Sequence, residues 1–170
     1  MTDMRLARAS ATTAAMRDAE AKIMSSRGTV SPLYQLLLHS PAIASGWESL
    51  LTAVRRQSSL SPLLRELVIL RVAVLNNASY EFEAHAPIAR DAGLSEEKLQ
   101  SLREGNTAPF SPLESLALEY CDVMTREVHV PDALFERIRA HFNDTHIVEL
   151  TTTIAAYNMV SRFLEALHVR

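Results

Sequence analysis

Hydrophobic positions recur at helical spacing along most of the chain, as in the series Leu63, Leu67, Leu70 and Val74. Residues three, four and seven apart share one face of an α-helix, so this spacing predicts a helix with a buried stripe. Valine, isoleucine and threonine nowhere alternate with polar residues over a long run, so no segment carries the pattern of a β-strand. The pattern therefore predicts an all-α protein.

Helix starts are marked by four serine–proline pairs. A serine hydroxyl at the N-cap accepts a hydrogen bond from an early backbone N–H, and proline suits the first helical position, where an N–H has no partner. Ser111 and Glu114 have the spacing of a capping box, Ser95 marks a further start, and Gly93 and Gly105 stand where helices are expected to end. The predicted helices cover residues 4–26, 32–39, 41–56, 62–75, 79–91, 95–103, 112–127, 131–142 and 144–168.

The predicted helices are joined by short loops, as in a compact bundle of about 7–9 antiparallel helices. The length of 170 residues fits one domain. Hydrophobic residues make up 48% of the chain and charged residues 22%. These are ordinary proportions for a globular protein. A chain of this length buries roughly two thirds of its unfolded surface, so its core needs no disulfide or metal to support it.

The composition excludes several classes of function. The net charge of −3 lacks the basic excess of a protein that binds nucleic acid. No run of about 18 apolar residues is present to cross a membrane, and the N-terminal stretch lacks the apolar core of a signal peptide. Cys121 is the only cysteine, so neither an intrachain disulfide nor a cysteine-rich zinc site is expected. We therefore expect a reduced, cytoplasmic setting.

The candidate chemistry lies within residues 61–85. Glu81 and His85 are four residues apart, so they share one helix face, where a carboxylate raises the pKa of an imidazole and fixes its tautomer. Asn76–Asn77 disfavours a continuous helix, because both side chains compete for backbone hydrogen bonds. A straight helix would hold Glu66 about 22 Å from Glu81, whereas a turn at the asparagines lets Glu66, Glu81 and His85 converge. The alternative is a solvated pair on a helix surface.

Four stretches of the sequence carry a wider resemblance, and they are Leu37–Pro41, Arg65–Ala73, Tyr80–Ser95 and Glu149–Arg162. In this order they resemble the carboxymuconolactone decarboxylase family, which includes the alkyl hydroperoxidase D proteins. The resemblance implies an all-α bundle of the alkyl hydroperoxidase D-like type. It also implies an N-terminal helical extension at residues 1–28 and a single domain at residues 29–170.

The resemblance distinguishes two branches of the family. The hydroperoxidase branch has a glutamate, a Cys-x-x-Cys pair and a histidine that relay protons to the dithiol. On this chain the glutamate is Glu66 and the histidine is His85, but the cysteine positions fall on Ala78 and Glu81. Thiol peroxidase chemistry needs a thiolate and a resolving partner, and Cys121 cannot supply both. The decarboxylase branch also lacks the pair, and like this chain it has Tyr-Glu-aromatic before the histidine.

A decarboxylase needs few groups for a carboxylated, unsaturated lactone. Loss of CO₂ leaves a dienolate whose charge the ring carbonyl takes up without a cofactor, so the enzyme supplies an oxyanion donor and a proton. We expect His85 to donate that proton, with Glu81 or Glu66 orienting it. The same groups could isomerise a ring, dehydrate it or open it. No spacing supports a metal site.

Five further residues are candidates for binding a small-molecule substrate, and they are Tyr80, His39, Arg71, Asn158 and Arg162. The two arginines can bind a carboxylate bidentately, although Arg162 fits a salt bridge or an interface equally. His39 fits a capping or packing role, and Asn158 a hydrogen bond within the core. The resemblance also implies a homo-oligomer, a trimer or hexamer, consistent with the apolar faces of residues 33–38 and of the N-terminal segment.

Two other functions remain open from the sequence. A non-catalytic relative could keep the scaffold and bind a ligand, because Ala78 and Glu83-Ala84 differ from the cysteine or histidine that other members often carry. A residual alternative is a peroxide-reducing antioxidant protein.

Overall fold

The computed structural model describes residues 4–106 and 108–169, within which the regular structure is helical, as predicted. The chain divides into two compact units, one comprising residues up to Ser58 and from Ala166 onward, the other Ser59–Glu165. The separate division into residues 1–28 and 29–170 stays a prediction. Nine α-helices lie in the described residues: α1 (Ala14–Arg27), α2 (Pro32–Leu37), α3 (Pro41–Thr52), α4 (Pro62–Leu75), α5 (Ser79–Asp91), α6 (Glu96–Glu104), α7 (Pro112–Arg126), α8 (Asp132–Arg139) and α9 (Asp144–Leu167).

The first helix is shorter than its prediction over residues 4–26. It begins at Ala14, behind an N-cap at Thr13 whose side chain accepts from the backbone N–H of Met16. The preceding residues bond elsewhere, since the N–H of Ala9 donates to the carbonyl of Gln35. The prediction missed Thr13 as a start because the apolar spacing continues upstream of it.

Only one of the four serine–proline pairs forms a full cap. Ser111 accepts from the N–H of Glu114, whose side chain accepts from the N–H of Ser111 in return. The other three serines occupy N-cap positions but make no side-chain capping bond. The residues three positions after them are Tyr34, Ile43 and Leu64, which offer no carboxylate to complete the box.

The first unit is held by a buried carboxylate between α1 and α3. Glu48 on α3 is 2% exposed. It accepts from Ser26 at 2.5 Å and from Thr52 at 2.6 Å, and it pairs with Arg27. Burial alone would raise the pKa of Glu48, but these hydrogen bonds outweigh it and lower the pKa to about 2. The carboxylate therefore stays ionised and joins the two helices.

In the second unit, α4 packs against α5, α6 and α7. Four consecutive residues of α4, Leu67 to Leu70, have no exposed surface. Consecutive residues point in different directions around a helix, so α4 is enclosed on all sides rather than along one stripe. Leu63 and Val74, at the ends of the predicted stripe, are only half-buried. A polar residue on α4 such as Glu66 is therefore held inside the protein.

A sharp turn at the paired asparagines separates α4 from α5, as predicted. Asn77 has a φ of 55°, a left-handed conformation that asparagine tolerates better than most residues. The N–H of Ala78 donates to the carbonyl of Ala73, and that of Asn77 to the carbonyl of Val74. These two bonds form a Schellman motif, which ends α4 and reverses the chain. Within the described residues, no helix is long and apolar enough to cross a membrane.

We expect Glu48→Gln to lower the free energy of unfolding by about 1–3 kcal/mol at pH 7, because it removes a charged acceptor from two hydrogen bonds and an ion pair. A depressed pKa stabilises the fold above the ordinary value of 4.5, and that stabilisation is lost as the pH falls towards 2. The difference in free energy of unfolding between wild type and the Glu48→Gln variant, measured by urea denaturation, should therefore become smaller below pH 4.5. Glu20→Gln, which removes an equal charge from α1, is the control.

Candidate active site

The imidazole of His85 lies at the centre of a cluster drawn from three helices. Its Nδ1 is 2.6 Å from Oε2 of Glu66 on α4. Its Nε2 is 3.1 Å from Oε1 of Glu81, one turn earlier on α5, and 3.2 Å from the hydroxyl of Tyr157 on α9. The turn between α4 and α5 thus brings the three predicted residues Glu66, Glu81 and His85 together.

The cluster is shielded from water. The exposed fractions of the side chains are 1% for Glu66, 5% for His85 and 6% for Glu81. Burial by itself would lower the pKa of His85, because it penalises the imidazolium. The hydrogen bonds and charges of Glu66 and Glu81 act in the opposite direction and prevail, so the pKa of His85 is raised above 6.5. The two glutamates therefore favour the imidazolium form of His85 over the neutral ring.

The two ring nitrogens have different partners. Glu66 occupies Nδ1, and its other oxygen lies 3.5 Å from Nε of Arg65, so the carboxylate is held from both sides. The carboxylate of Glu66 is closer to Nδ1, at 2.6 Å, than that of Glu81 is to Nε2, at 3.1 Å. We therefore expect the Nδ1 proton to be held more firmly, and Nε2 to be the nitrogen that gains or loses a proton. The arrangement suits a general acid whose reactive edge is Nε2.

Tyr157 was not among the residues singled out by sequence reasoning. It is 1% exposed, and its ring stands edge-on to the imidazole with centroids 5.0 Å apart and planes at 88°. Tyr157 is 72 residues from His85, so no local spacing joins the two. The available signal was its place at the start of the Tyr157–Arg162 motif, within the resemblance.

Asn158, next to Tyr157, ties α9 to the turn. Its Oδ1 accepts from Nδ2 of Asn76 at 3.0 Å, and its own Nδ2 donates to the hydroxyl of Thr125 at 3.0 Å. Arg162 donates to the backbone carbonyl of Asn158 at 3.1 Å and also to its side-chain oxygen. The Nδ2 of Asn158 also donates to the backbone carbonyl of Ile154 at 3.0 Å, so its side chain is engaged by four neighbours. Substrate binding by Asn158 and Arg162 stays a prediction.

Arg71 lies beside a cavity of about 420 Å³ between α4 and α7. Its Nε and Nη2 both donate to the carboxylate of Asp122 at 2.6 Å. This bidentate geometry uses the fork that a substrate carboxylate would need. The hydrogen bonds that Arg71 donates to Asp122 raise the pKa of Arg71. Substrate binding by Arg71 stays a prediction, and it would require Asp122 to give way.

The remaining two residues predicted to bind substrate, His39 and Tyr80, lie in different units. His39 is exposed in the first unit, where Nε2 lies 2.8 Å from the carbonyl oxygen of Ala7. Tyr80 is half-buried at the start of α5 in the second unit, next to Glu81 in the chain. Their roles in substrate binding also stay predictions.

A second cavity, of about 190 Å³, lies at the start of α5. Its wall includes Ala78, the position at which the hydroperoxidase branch has its first cysteine, and Phe82, which is covered by the guanidinium of Arg103 at 3.8 Å. Neither this cavity nor the one beside Arg71 has His85 in its wall. Within the described residues, no group of three or more His, Cys, Asp or Glu side chains has the geometry to hold a metal ion.

The single thiol, that of Cys121, is buried and poorly suited to redox chemistry. Cys121 on α7 has no exposed surface, and its sulfur donates to the carbonyl of Val68 at 3.7 Å. Burial raises the pKa of Cys121 well above its ordinary value, so the reactive thiolate is suppressed. The positions that would carry a Cys-x-x-Cys pair hold Ala78 and Glu81.

The all-α fold is of the alkyl hydroperoxidase D-like type. Within that class, the chain belongs to the carboxymuconolactone decarboxylase family, whose model matches residues 41–122. The chain is 33% identical over 110 residues to the protein YdfG of Bacillus subtilis strain 168, covering 63% of this chain and 75% of that protein. The resemblance inferred from the sequence is therefore confirmed.

Solved structures agree with this assignment. A protein of unknown function from Agrobacterium tumefaciens, proposed to be the antioxidant defence protein AhpD, is 25% identical with a TM-score of 0.73, covering 79% of this chain and 94% of that one. A peroxidase-related protein from Silicibacter sp. TM1040 is 19% identical with a TM-score of 0.81, covering 100% of this chain and 92% of that one. The second likeness shows the fold alone.

We expect the native protein to react with an aromatic disulfide thiol reagent at least about a hundredfold more slowly than a free cysteine, because Cys121 is buried and its thiol stays protonated. Absorbance of the released thiolate measures the rate. The same protein unfolded in guanidinium should release one equivalent, matching its single cysteine. Rapid labelling of the native protein would contradict the burial of Cys121.

Proposed function

We propose that this protein is a cofactor-independent acid/base lyase that decarboxylates a small carboxylated lactone or a related ring compound derived from an aromatic. The observation that carries the proposal is the buried contact of His85 with Glu66 and Glu81, which favours the protonated imidazole in a site shielded from water. Membership of a family that includes decarboxylases supports it. A homo-oligomer, a trimer or hexamer, is part of this proposal.

The reaction divides into two steps. The bond between the ring carbon and the carboxylate breaks, CO₂ leaves, and the electron pair passes into a dienolate whose charge rests on the ring carbonyl oxygen. The carbon then takes a proton from Nε2 of His85, and the imidazolium becomes neutral. Atoms and charge balance, because the substrate carboxylate loses CO₂ and gains one proton. A positioned acid of this kind contributes about 10²–10⁴-fold to a rate.

The two glutamates have separate tasks in this mechanism. Glu66 holds the Nδ1 proton of His85 through the cycle and keeps the ring in one orientation. Glu81 lies beside Nε2, so a proton taken up from water can return to His85 through its carboxylate after each turnover. The same acid/base groups would serve an isomerase, and product analysis separates the two reactions.

We expect His85→Gln to lower kcat by about 10²-fold or more while the protein stays folded, because glutamine fills similar space without a transferable proton. Release of CO₂ and ring absorbance would be followed over a panel of carboxylated lactones. His141→Gln, which changes an exposed histidine of the same unit, is the matched control and should retain full activity.

Three outcomes of that panel are informative. Loss of turnover in the His85 variant alone supports the proposal, and equal turnover in both variants removes His85 from the mechanism. Tight binding of the panel without chemical change favours the non-catalytic ligand-binding alternative.

The pH dependence should report the pKa of His85. Activity that needs the imidazolium falls as the pH rises through a raised pKa, so wild type should stay active above pH 6.5. Glu66→Gln removes a charge that favours the imidazolium. The decline of kcat at high pH, the alkaline limb of the profile, should therefore shift to lower pH by about one unit or more. Glu136→Gln changes an exposed carboxylate on α8 and should leave the kcat profile in place. An unmoved limb in the Glu66 variant would contradict the assignment.

A further inference from the structure

The hydroxyl of Tyr157 is placed at the nitrogen through which the proposed reaction would run. It lies 3.2 Å from Nε2 of His85, and Tyr157 is almost fully buried. The edge-on contact of the two rings fixes the imidazole plane independently of that hydroxyl. A phenol fixed in this position can either donate a hydrogen bond to Nε2 or accept one from it.

The groups facing the imidazole decide which direction applies. Glu66 faces it from α4 and takes the Nδ1 proton, whereas Glu81 from α5 and Tyr157 from α9 share the Nε2 side. When Nε2 carries a proton, the negatively charged carboxylate of Glu81 is its stronger acceptor. When Nε2 has lost its proton, its lone pair faces that same carboxylate, and the hydroxyl of Tyr157 is the donor within reach.

We propose that Tyr157 is a positioning residue, whose hydroxyl donates a hydrogen bond to Nε2 of the neutral imidazole and so eases loss of the proton that the reaction consumes. The inference rests on the proposed function for its catalytic consequence. The hydrogen bond itself is a property of the folded protein and can be measured without substrate.

Tyr157 therefore opposes the two glutamates. Glu66 and Glu81 favour the imidazolium, and so they oppose transfer of its proton to carbon. A donor to the neutral ring stabilises the state reached after that transfer. The carboxylates of Glu66 and Glu81 thus stabilise the imidazolium before the reaction, and the hydroxyl of Tyr157 stabilises the neutral imidazole after it.

The test is Tyr157→Phe, which keeps the edge-on ring and removes only the hydroxyl. We expect the titration midpoint of His85, followed by NMR of labelled histidine, to rise by about 0.5–1 pH unit, because a hydrogen bond to the neutral form is lost. In the activity assay the alkaline limb should rise equally, and kcat should fall about 2- to 10-fold with KM little changed. An unchanged midpoint in a folded variant would overturn the inference.

Tyr120→Phe is the matched control, because Tyr120 is a buried tyrosine of the same unit whose hydroxyl lies 2.9 Å from that of Thr151. It should leave the His85 midpoint unmoved. If Tyr157→Phe fails to fold, the nitrogen shifts of His85 in wild type provide a second readout. Above the midpoint they should report a proton on Nδ1 and a hydrogen-bonded, unprotonated Nε2, and a proton on Nε2 would overturn the inference.

The two proposals can fail separately. A raised midpoint together with no turnover of any lactone supports the role of Tyr157 and refutes the decarboxylase. Turnover that depends on His85, with an unmoved midpoint in Tyr157→Phe, supports the decarboxylase and refutes the role of Tyr157.

Discussion

The hydrogen bond between Glu66 and His85 is the constraint on which the site depends. It joins two residues 19 positions apart, and it forms only because α4 ends and the chain reverses within four residues. Both side chains are buried, so neither can exchange its partner for water. Removing one partner of a buried charged pair typically costs about 3–5 kcal/mol, because the other charge is left unpaired. The turn at Asn77 is therefore a requirement of the site as well as a connection between helices.

Helix α9 supports the same site at two adjacent residues. Tyr157 contacts the imidazole, and Asn158 is hydrogen-bonded to the asparagine that caps α4. Successive residues on a helix point about 100° apart, so one helix can reach both the reactive nitrogen and the turn. A displacement of α9 would disturb the orientation of His85 and the end of α4 together. Because the orientation of His85 and the end of α4 both depend on α9, there is a structural reason for Tyr157 and Asn158 to be neighbours in one short motif.

Local signals in the sequence predict part of this arrangement. Two local features, the four-residue spacing of Glu81 and His85 and the helix-breaking asparagines, lie within 20 residues of one another along the chain. They are enough to predict that both side chains meet Glu66. The contacts of Tyr157 and Asn158 bridge 72 and 82 positions, and no pattern of spacing records such pairings. The enclosure of the middle of α4 on all sides is not predicted for a related reason, since an apolar stripe shows which face is buried but not how many neighbours surround a helix. The engagement of Arg71 by Asp122 likewise depends on the packing of α4 against α7.

The exchange of a dithiol for a carboxylate changes what the relay can do. In the hydroperoxidase branch, as the resemblance implies, glutamate and histidine move protons so that thiols can transfer electrons to a peroxide. Here the corresponding positions hold Ala78 and Glu81, and the only thiol, Cys121, is enclosed on α7 with its thiolate suppressed. Glu81 accepts and releases protons but cannot serve as a two-electron donor, so a relay that ends on it is restricted to proton transfer. Breaking a carbon–carboxylate bond needs only an electron sink within the substrate and a proton for carbon, which is the class of chemistry that such a relay supports.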